Sequence, residues 1–204
     1  YAKSFQSMNG TIGESTVKEI RLDGDGWQVI TDQETFYSDD VVIAAGPWSN
    51  QLIKPLGYDL PLFPMRGYHQ HFETTEKNKI YHSLVDIDKG FVMGPMQQGI
   101  RITTGAEMTT MDAPKNFDQL NAVLRFAQAV LPLNQRVETE AWAGSRPCMP
   151  DMKPIIGAAG KHNNLWFAFG HGHQGFTLGP ITGRSMEELL HKKPTGVDIK
   201  PLNA

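Results

Sequence analysis

The sequence predicts a mixed fold, α/β plus α+β, in which a layer with parallel strands is interrupted by an antiparallel sheet. Three observations carry this. Asp40 to Gly46, DVVIAAG, is a continuous apolar run of the kind buried in a central parallel strand. Leu165 to Phe169, LWFAF, is a short apolar run of the kind buried in a sheet, and it leads through a glycine-rich turn into a helical pattern with Leu178, Ile181, Met186, Leu189 and Leu190 on one side. Between them, strand-like segments recur at Tyr68–Glu73, Ile80–Val85, Gly90–Met93 and Ile100–Thr104 with the alternation and turn spacing of an antiparallel sheet.

Taken in order, Tyr1 to Met8 reads as the tail of a helix ending at Asn9-Gly10. Thr16–Leu22 and Trp27–Thr31 read as strands around an Asp23-Gly24-Asp25-Gly26 hairpin, and Phe36 and Tyr37 add a third. The DVVIAAG strand turns into a helix over Trp48–Leu56. Pro61, Pro64, Arg66 and Gly67 mark the crossing into the antiparallel layer. Asp112–Leu131 carries Phe117, Leu120, Val123, Leu124, Ala127 and Val130 at helical spacing and is stopped by Pro132. Val137–Ala143 returns as a strand, and the tail after Lys192 reads as a surface strap.

Composition bounds the function. At 204 residues a substantial core is expected, in one or two domains. A net charge of −3 gives no argument for a nucleic-acid partner or an anionic membrane surface. No stretch is long and apolar enough to span a bilayer, and no signal peptide is read. The single cysteine, Cys148, excludes an intramolecular disulfide and fits a reducing, cytoplasmic compartment. It has no obvious activating partner and reads as packing.

The chemistry concentrates in the C-terminal third. Gly170, Gly172 and Gly175 permit close approaches that a Cβ would block, and the helix beginning near Thr177 aims free N–H groups and its positive dipole end at one point. A group that is or becomes anionic belongs there. Arg146 sits between Gly144 and Pro147, which fix the local backbone, and a guanidinium binds carboxylate through two parallel hydrogen bonds. Together they suggest a carboxylate substrate handled on an electron-accepting cofactor. A structural ion pair of Arg146 with Asp151 is the plainer alternative. His171, His173 and His162 are too loosely spaced for zinc, so no metal is expected. His69 and His71 share one strand face and Tyr68 points the other way.

These segments, Trp142–Gly144–Arg146–Pro147, Pro150–Asp151–Pro154–Ile156–Gly157 and Gly170–His171–Gly172–Gly175, resemble the C-terminal signature of the FAD-dependent D-amino-acid oxidase and dehydrogenase family, which includes glycine oxidase and sarcosine oxidase. GHGHQGFTLGP is nearest the bacterial D-amino-acid dehydrogenase branch. The resemblance implies FAD as cofactor. It implies a partial FAD-binding, Rossmann-like domain at 1–65 and 139–204, with an inserted substrate domain at 66–138. The family's N-terminal Gly–x–Gly–x–x–Gly fingerprint is not found, so the chain is expected to be the C-terminal portion of a protein whose missing N-terminal half grips the rest of FAD.

Carried over by resemblance, the flavin contacts are Ala45, Gly46, Trp48, Arg66, Gly67, Gly144, Gly172, His173, Gln174, Gly175, Phe176 and Thr177. His69, Phe91 and Met93 shape the substrate pocket, with core packing as the plainer reading of the last two. Arg146 anchors the substrate carboxylate. The implied reaction moves a hydride from the α-carbon of a D-amino acid to the flavin, and water hydrolyses the imine. The resemblance leaves open whether oxygen or another carrier accepts the electrons, with attachment to the inner face of a membrane through that acceptor. It also leaves open an N-methyl or cyclic amine substrate of the sarcosine, glycine or hydroxyproline kind, and a non-catalytic fragment.

Overall fold

The structure, a computed structural model, describes residues 1–203. The chain forms two units. Unit 1 combines Tyr1–Leu60, Ile155–Phe169 and the segment from Pro180 onward; unit 2 combines Pro61–Pro154 and Gly170–Gly179. The divisions fall after Leu60 and Pro154, where the sequence predicts 65 and 138.

In unit 1, helix α1 (Ala2–Ser7) ends before Asn9, which takes a left-handed φ of 66°. Strands β1 (Val17–Asp23), β2 (Gly26–Thr31) and β3 (Thr35–Ser38) form an antiparallel meander in that order. Asp23 pairs with Gly26, so Gly24 and Asp25 make a two-residue hairpin loop with Gly24 left-handed at φ 61°. The second sheet has the order β10-β11-β4, from β4 (Val41–Ile43), β10 (Ile155–Ala158) and β11 (Leu165–Phe169). Strand β4 is parallel to β11, as the apolar run of β4 predicts, and β10 is antiparallel.

The helix expected at 48–56 is broken into a 3-10 turn (Gly46–Trp48), α2 (Ser49–Ile53) and a second 3-10 turn (Lys54–Leu56). Pro47 and Pro55 each remove an N–H from the ladder. The unit-1 core includes Trp27, Ile53, Leu165, Phe167 and Phe169, each nearly inaccessible. The indole of Trp27 donates to the carbonyl of Asn163 at 3.2 Å, and the Tyr58 hydroxyl bonds His162 Nδ1 at 2.9 Å, so the polar ends of the aromatic core are satisfied.

Unit 2 is a five-stranded antiparallel sheet, β6-β7-β8-β5-β9, with one helix against it. The strands are β5 (Phe63–Phe72), β6 (Leu84–Asp86), β7 (Phe91–Met96), β8 (Gly99–Met108) and β9 (Trp142–Cys148). The last strand starts five residues later than predicted and runs through the Arg146 segment. Helix α3 (Asp118–Val130) is shorter than the predicted 112–131. The cause is Arg66, which is 4% exposed and captures the carbonyls of Thr110, Ala113 and Pro114 at 2.9–3.0 Å. Carbonyls held by a side chain cannot join a helix, and Pro114 disfavours helix in the residue before it. Tyr68, Phe72, Phe91, Met93, Ile100 and Ile102 pack against Leu120, Val123 and Ala127 of α3.

Helix α4 (Gly175–Leu190) follows a 3-10 turn at Gly172–Gln174. Among the described residues no helix is long and apolar enough to cross a membrane.

Candidate active site

The site in unit 2 is built on a pair of glycines. Gly67 of β5 and Gly144 of β9 face each other across the ladder. A Cβ on Gly67 would sit 2.2 Å from the Arg146 guanidinium, and one on Gly144 would sit 2.0 Å from the Trp142 indole. The two missing side chains therefore leave a trough that the guanidinium and the indole occupy. Strand β8 adds the third wall. Arg66 pairs with Glu107 and Tyr68 with Thr104, so β8 carries one extra residue there. Gly105 lies in this bulge at φ 100°, and its carbonyl accepts from Arg146 Nη1 at 3.0 Å. A bulge re-aims a main-chain group that a regular ladder would consume.

Arg146 is half-buried and makes that one hydrogen bond; no ion pair to it occurs among the described residues. Asp151, the plainer partner, pairs instead with Lys153 at 3.6 Å. Cys148, two residues on, is buried, and burial pushes its thiol up, partly offset by the Arg146 charge. It is packing, as its lack of an activating partner suggests.

The expected substrate-pocket residues do not share a face. Phe91 pairs with Thr104 and Met93 with Ile102, which sets both on the Tyr68 side, buried in the α3 core. His69 lies on the opposite side, where Trp142 stacks on it at 4.7 Å and 18°. Phe91 and Met93 are therefore core residues. Strand parity within β5 was legible; its phase against β7 depends on register. The Arg66 guanidinium holds the 110–114 loop through the carbonyls of Thr110, Ala113 and Pro114. Trp142, Gly105 and Glu138 were not singled out from sequence as site residues. The glycines that face each other across the ladder, Gly67 and Gly144, were the available signal.

The expected flavin residues divide between the units. In unit 1, Ala44, Ala45, Gly46 and Trp48 line a cavity of about 640 Å³ at the end of β4, with Gly46 left-handed at φ 54°. In unit 2, Gly172 takes φ 58° and a Cβ there would lie 3.5 Å from Cys148 Sγ. His173, Gln174, Gly175, Phe176 and Thr177 are exposed, Phe176 at 93%. No side chain caps the Gly172–Gln174 turn, and no acidic residue stands in the first turn of α4. A lining of small residues and a helix start without acidic side chains fit FAD, whose flat ring must approach main chain and whose reduced form carries negative charge. Burial holds His171 below the usual imidazole range. No group of three His, Cys, Asp or Glu able to hold a metal occurs among the described residues.

D-amino acid dehydrogenase 2 of Mesorhizobium japonicum is 30% identical over 192 residues, which cover 92% of this chain and 46% of that protein. Glycine oxidase of Bacillus subtilis is 29% identical over 207 residues, 97% of this chain and 54% of that protein. The crystal structure of glycine oxidase from Geobacillus kaustophilus superposes with a TM-score of 0.85 at 26% identity, covering 99% of this chain and 55% of that one. The chain thus spans about half the length of the relatives it matches. Residues 1–189 match the model of the FAD dependent oxidoreductase family, and the chain belongs to that family.

Proposed function

We propose that this protein takes part in the flavin-dependent oxidative deamination of D-amino acids, with Arg146 holding the substrate carboxylate. The observation that carries it is the state of Arg146: half-buried, fixed by the Gly105 carbonyl, and without an acid among the described residues. Its remaining N–H groups form the fork that a carboxylate fills. Holding the carboxylate there fixes the α-carbon in one orientation, which is what an oxidation at that carbon requires. Trp142, lying over Gly144, excludes water from one side of the trough.

FAD, when bound, supplies the two-electron acceptor for the C–N bond. Ala45, Gly46 and Trp48 of unit 1 would hold it, as would the main chain at Arg66 and Gly67 and the turn Gly172–Thr177 of unit 2. The α4 amides there favour negative charge. On this reading the β4–β11 sheet belongs to the Rossmann-like FAD layer and unit 2 is the substrate layer. The names of the relatives, D-amino acid dehydrogenase and glycine oxidase, support an amino-acid substrate. A buried, unpaired Cys148 fits a cytoplasmic protein.

A second reading, oxidation of glycine-like or N-methyl amines, is favoured by the likeness to glycine oxidase in both sequence and fold. The test uses FAD-loaded protein, an artificial electron acceptor and a panel of D-amino acids, glycine and sarcosine. Arg146→Lys should raise KM for whichever substrate is used about 10- to 100-fold while flavin content stays at the wild-type level. Parallel loss of flavin and activity would show that Arg146 only supports the fold. Oxygen consumption without the artificial acceptor separates an oxidase from a dehydrogenase.

A further inference from the structure

The face of the unit-2 sheet opposite α3 carries polar groups that binding at Arg146 leaves unused. The register sets His71 beside Arg101 and, one row on, His69 beside Thr103 and Trp142. These side chains line a cavity of about 600 Å³. Arg101 has no hydrogen bond or ion pair among the described residues. His71 is 4% exposed, its Nδ1 is engaged by the Glu138 carboxylate, and its Nε2 is buried without a partner.

The acids around the cavity are already committed. Glu138 accepts from Gln70 Nε2 at 2.8 Å and from the His71 main-chain N–H at 3.0 Å, besides the imidazole. Glu140 is paired with Lys115 at 2.5 Å. What remains unpaired is one guanidinium and one buried imidazole nitrogen. Buried polar atoms of native proteins are almost always bonded, and a guanidinium matches a planar two-oxygen acceptor. With Nδ1 engaged by Glu138, Nε2 is the ring nitrogen left to donate a hydrogen bond to the same ligand. The stacked Trp142 and His69 rings supply an apolar wall for a short carbon chain.

We propose that this cavity is a second carboxylate-binding subsite, in which Arg101 and His71 Nε2 hold the carboxylate group. That group has two sources: the acidic side chain of an amino-acid substrate, or a free small organic acid bound apart from the chemistry. Only the first source rests on the function proposed above.

The first measurement follows the histidine ring signals by NMR as succinate is added to the full chain at constant pH and ionic strength. The His69 and His71 signals should shift saturably. Affinity should fall about tenfold in Arg101→Gln, the loss expected of one charge-assisted pair, and less in Arg101→Lys, which also controls for folding. The second measurement uses FAD-loaded protein and compares kcat/KM for D-glutamate with that for D-alanine. If the substrate side chain is the source, the ratio falls about tenfold in Arg101→Gln. An unchanged ratio with weakened succinate binding assigns the site to a free acid. Absence of a saturable shift, or equal succinate affinity in wild type and both Arg101 variants, overturns the subsite. If neither amino acid is oxidised, the function proposed above fails and the NMR result still decides the subsite.

Discussion

Arg66 on β5 and Arg146 on β9 lie one register step apart, with Met65 facing Arg146 and Arg66 facing Ser145. Both are arginines in the same sheet, and they spend their donors differently. Arg66 is buried, bonds three carbonyls of the 110–114 loop, and lies 3.9 Å from Glu107. Arg146 is half-buried and bonds one carbonyl. A guanidinium has five N–H donors, so the first commits most of them within the fold and the second keeps most of its fork. Donors left unspent on a rigid strand, more than burial or position in a motif, separate an arginine available to a ligand from one that holds a loop.

The largest effect that would break this comparison is on stability. Arg66→Met leaves three carbonyls without their donors and a buried cavity where the guanidinium was, and should lower the unfolding free energy by about 3 kcal/mol, read from urea titration. Arg146→Met should lower it by less than about 1 kcal/mol, since only one carbonyl loses its donor. Equal losses would mean that Arg146 is as structural as Arg66.

The glycines sharpen the contrast at a smaller scale. Gly105→Ala forces a side chain onto φ 100° and a Cβ to 2.9 Å from the Tyr68 ring, and should cost about 1–3 kcal/mol of stability. Gly67→Ala meets only the far end of Arg146, at 2.2 Å. It should leave stability within about 1 kcal/mol and raise the substrate KM about tenfold, because the guanidinium must move. A Gly67→Ala enzyme with wild-type KM would show that the position of the fork does not matter.

The smallest effect is a pH dependence. For Glu138, burial acts to raise the carboxyl, but the His71 main-chain N–H and ring outweigh it and hold it below the usual glutamate range. A carboxylate depressed in the folded state adds stability above its unfolded pKa, and that stability is lost as pH falls through the folded value. Urea titrations from about pH 7 to about pH 3 should show this loss in wild type and a flatter profile in Glu138→Gln. Identical profiles would detach Glu138 from His71.

The elements that were legible from sequence are those whose signal is local. The hairpin at Gly24-Asp25, the apolar runs of β4 and β11 and the sidedness of His69 and His71 all follow from spacing within a few residues. What failed was set by distant partners. The start of α3 was lost to Arg66, about fifty residues away, and the faces of Phe91 and Met93 depend on how β7 and β8 slide past a bulged β5 ladder. The glycine and proline around Arg146 are a local signal; the carbonyl that aims its guanidinium comes from a bulge more than forty residues earlier. Arg101, between Ile100 and Ile102, was an available signal: a charge that alternates with core residues must lie on the other face.

The packing of Gly172 on Cys148 has a practical consequence. The chain has a single thiol, 1% exposed, with its sulfur beneath the left-handed glycine and its main chain bridged to His171. A thiol reagent reaches that sulfur only when the 170–175 segment lifts away. The labelling rate is therefore a clock for the local opening of this turn, with no background from other cysteines. Run beside amide exchange, it would report how often the start of α4 leaves its seat while the rest of the sheet stays folded.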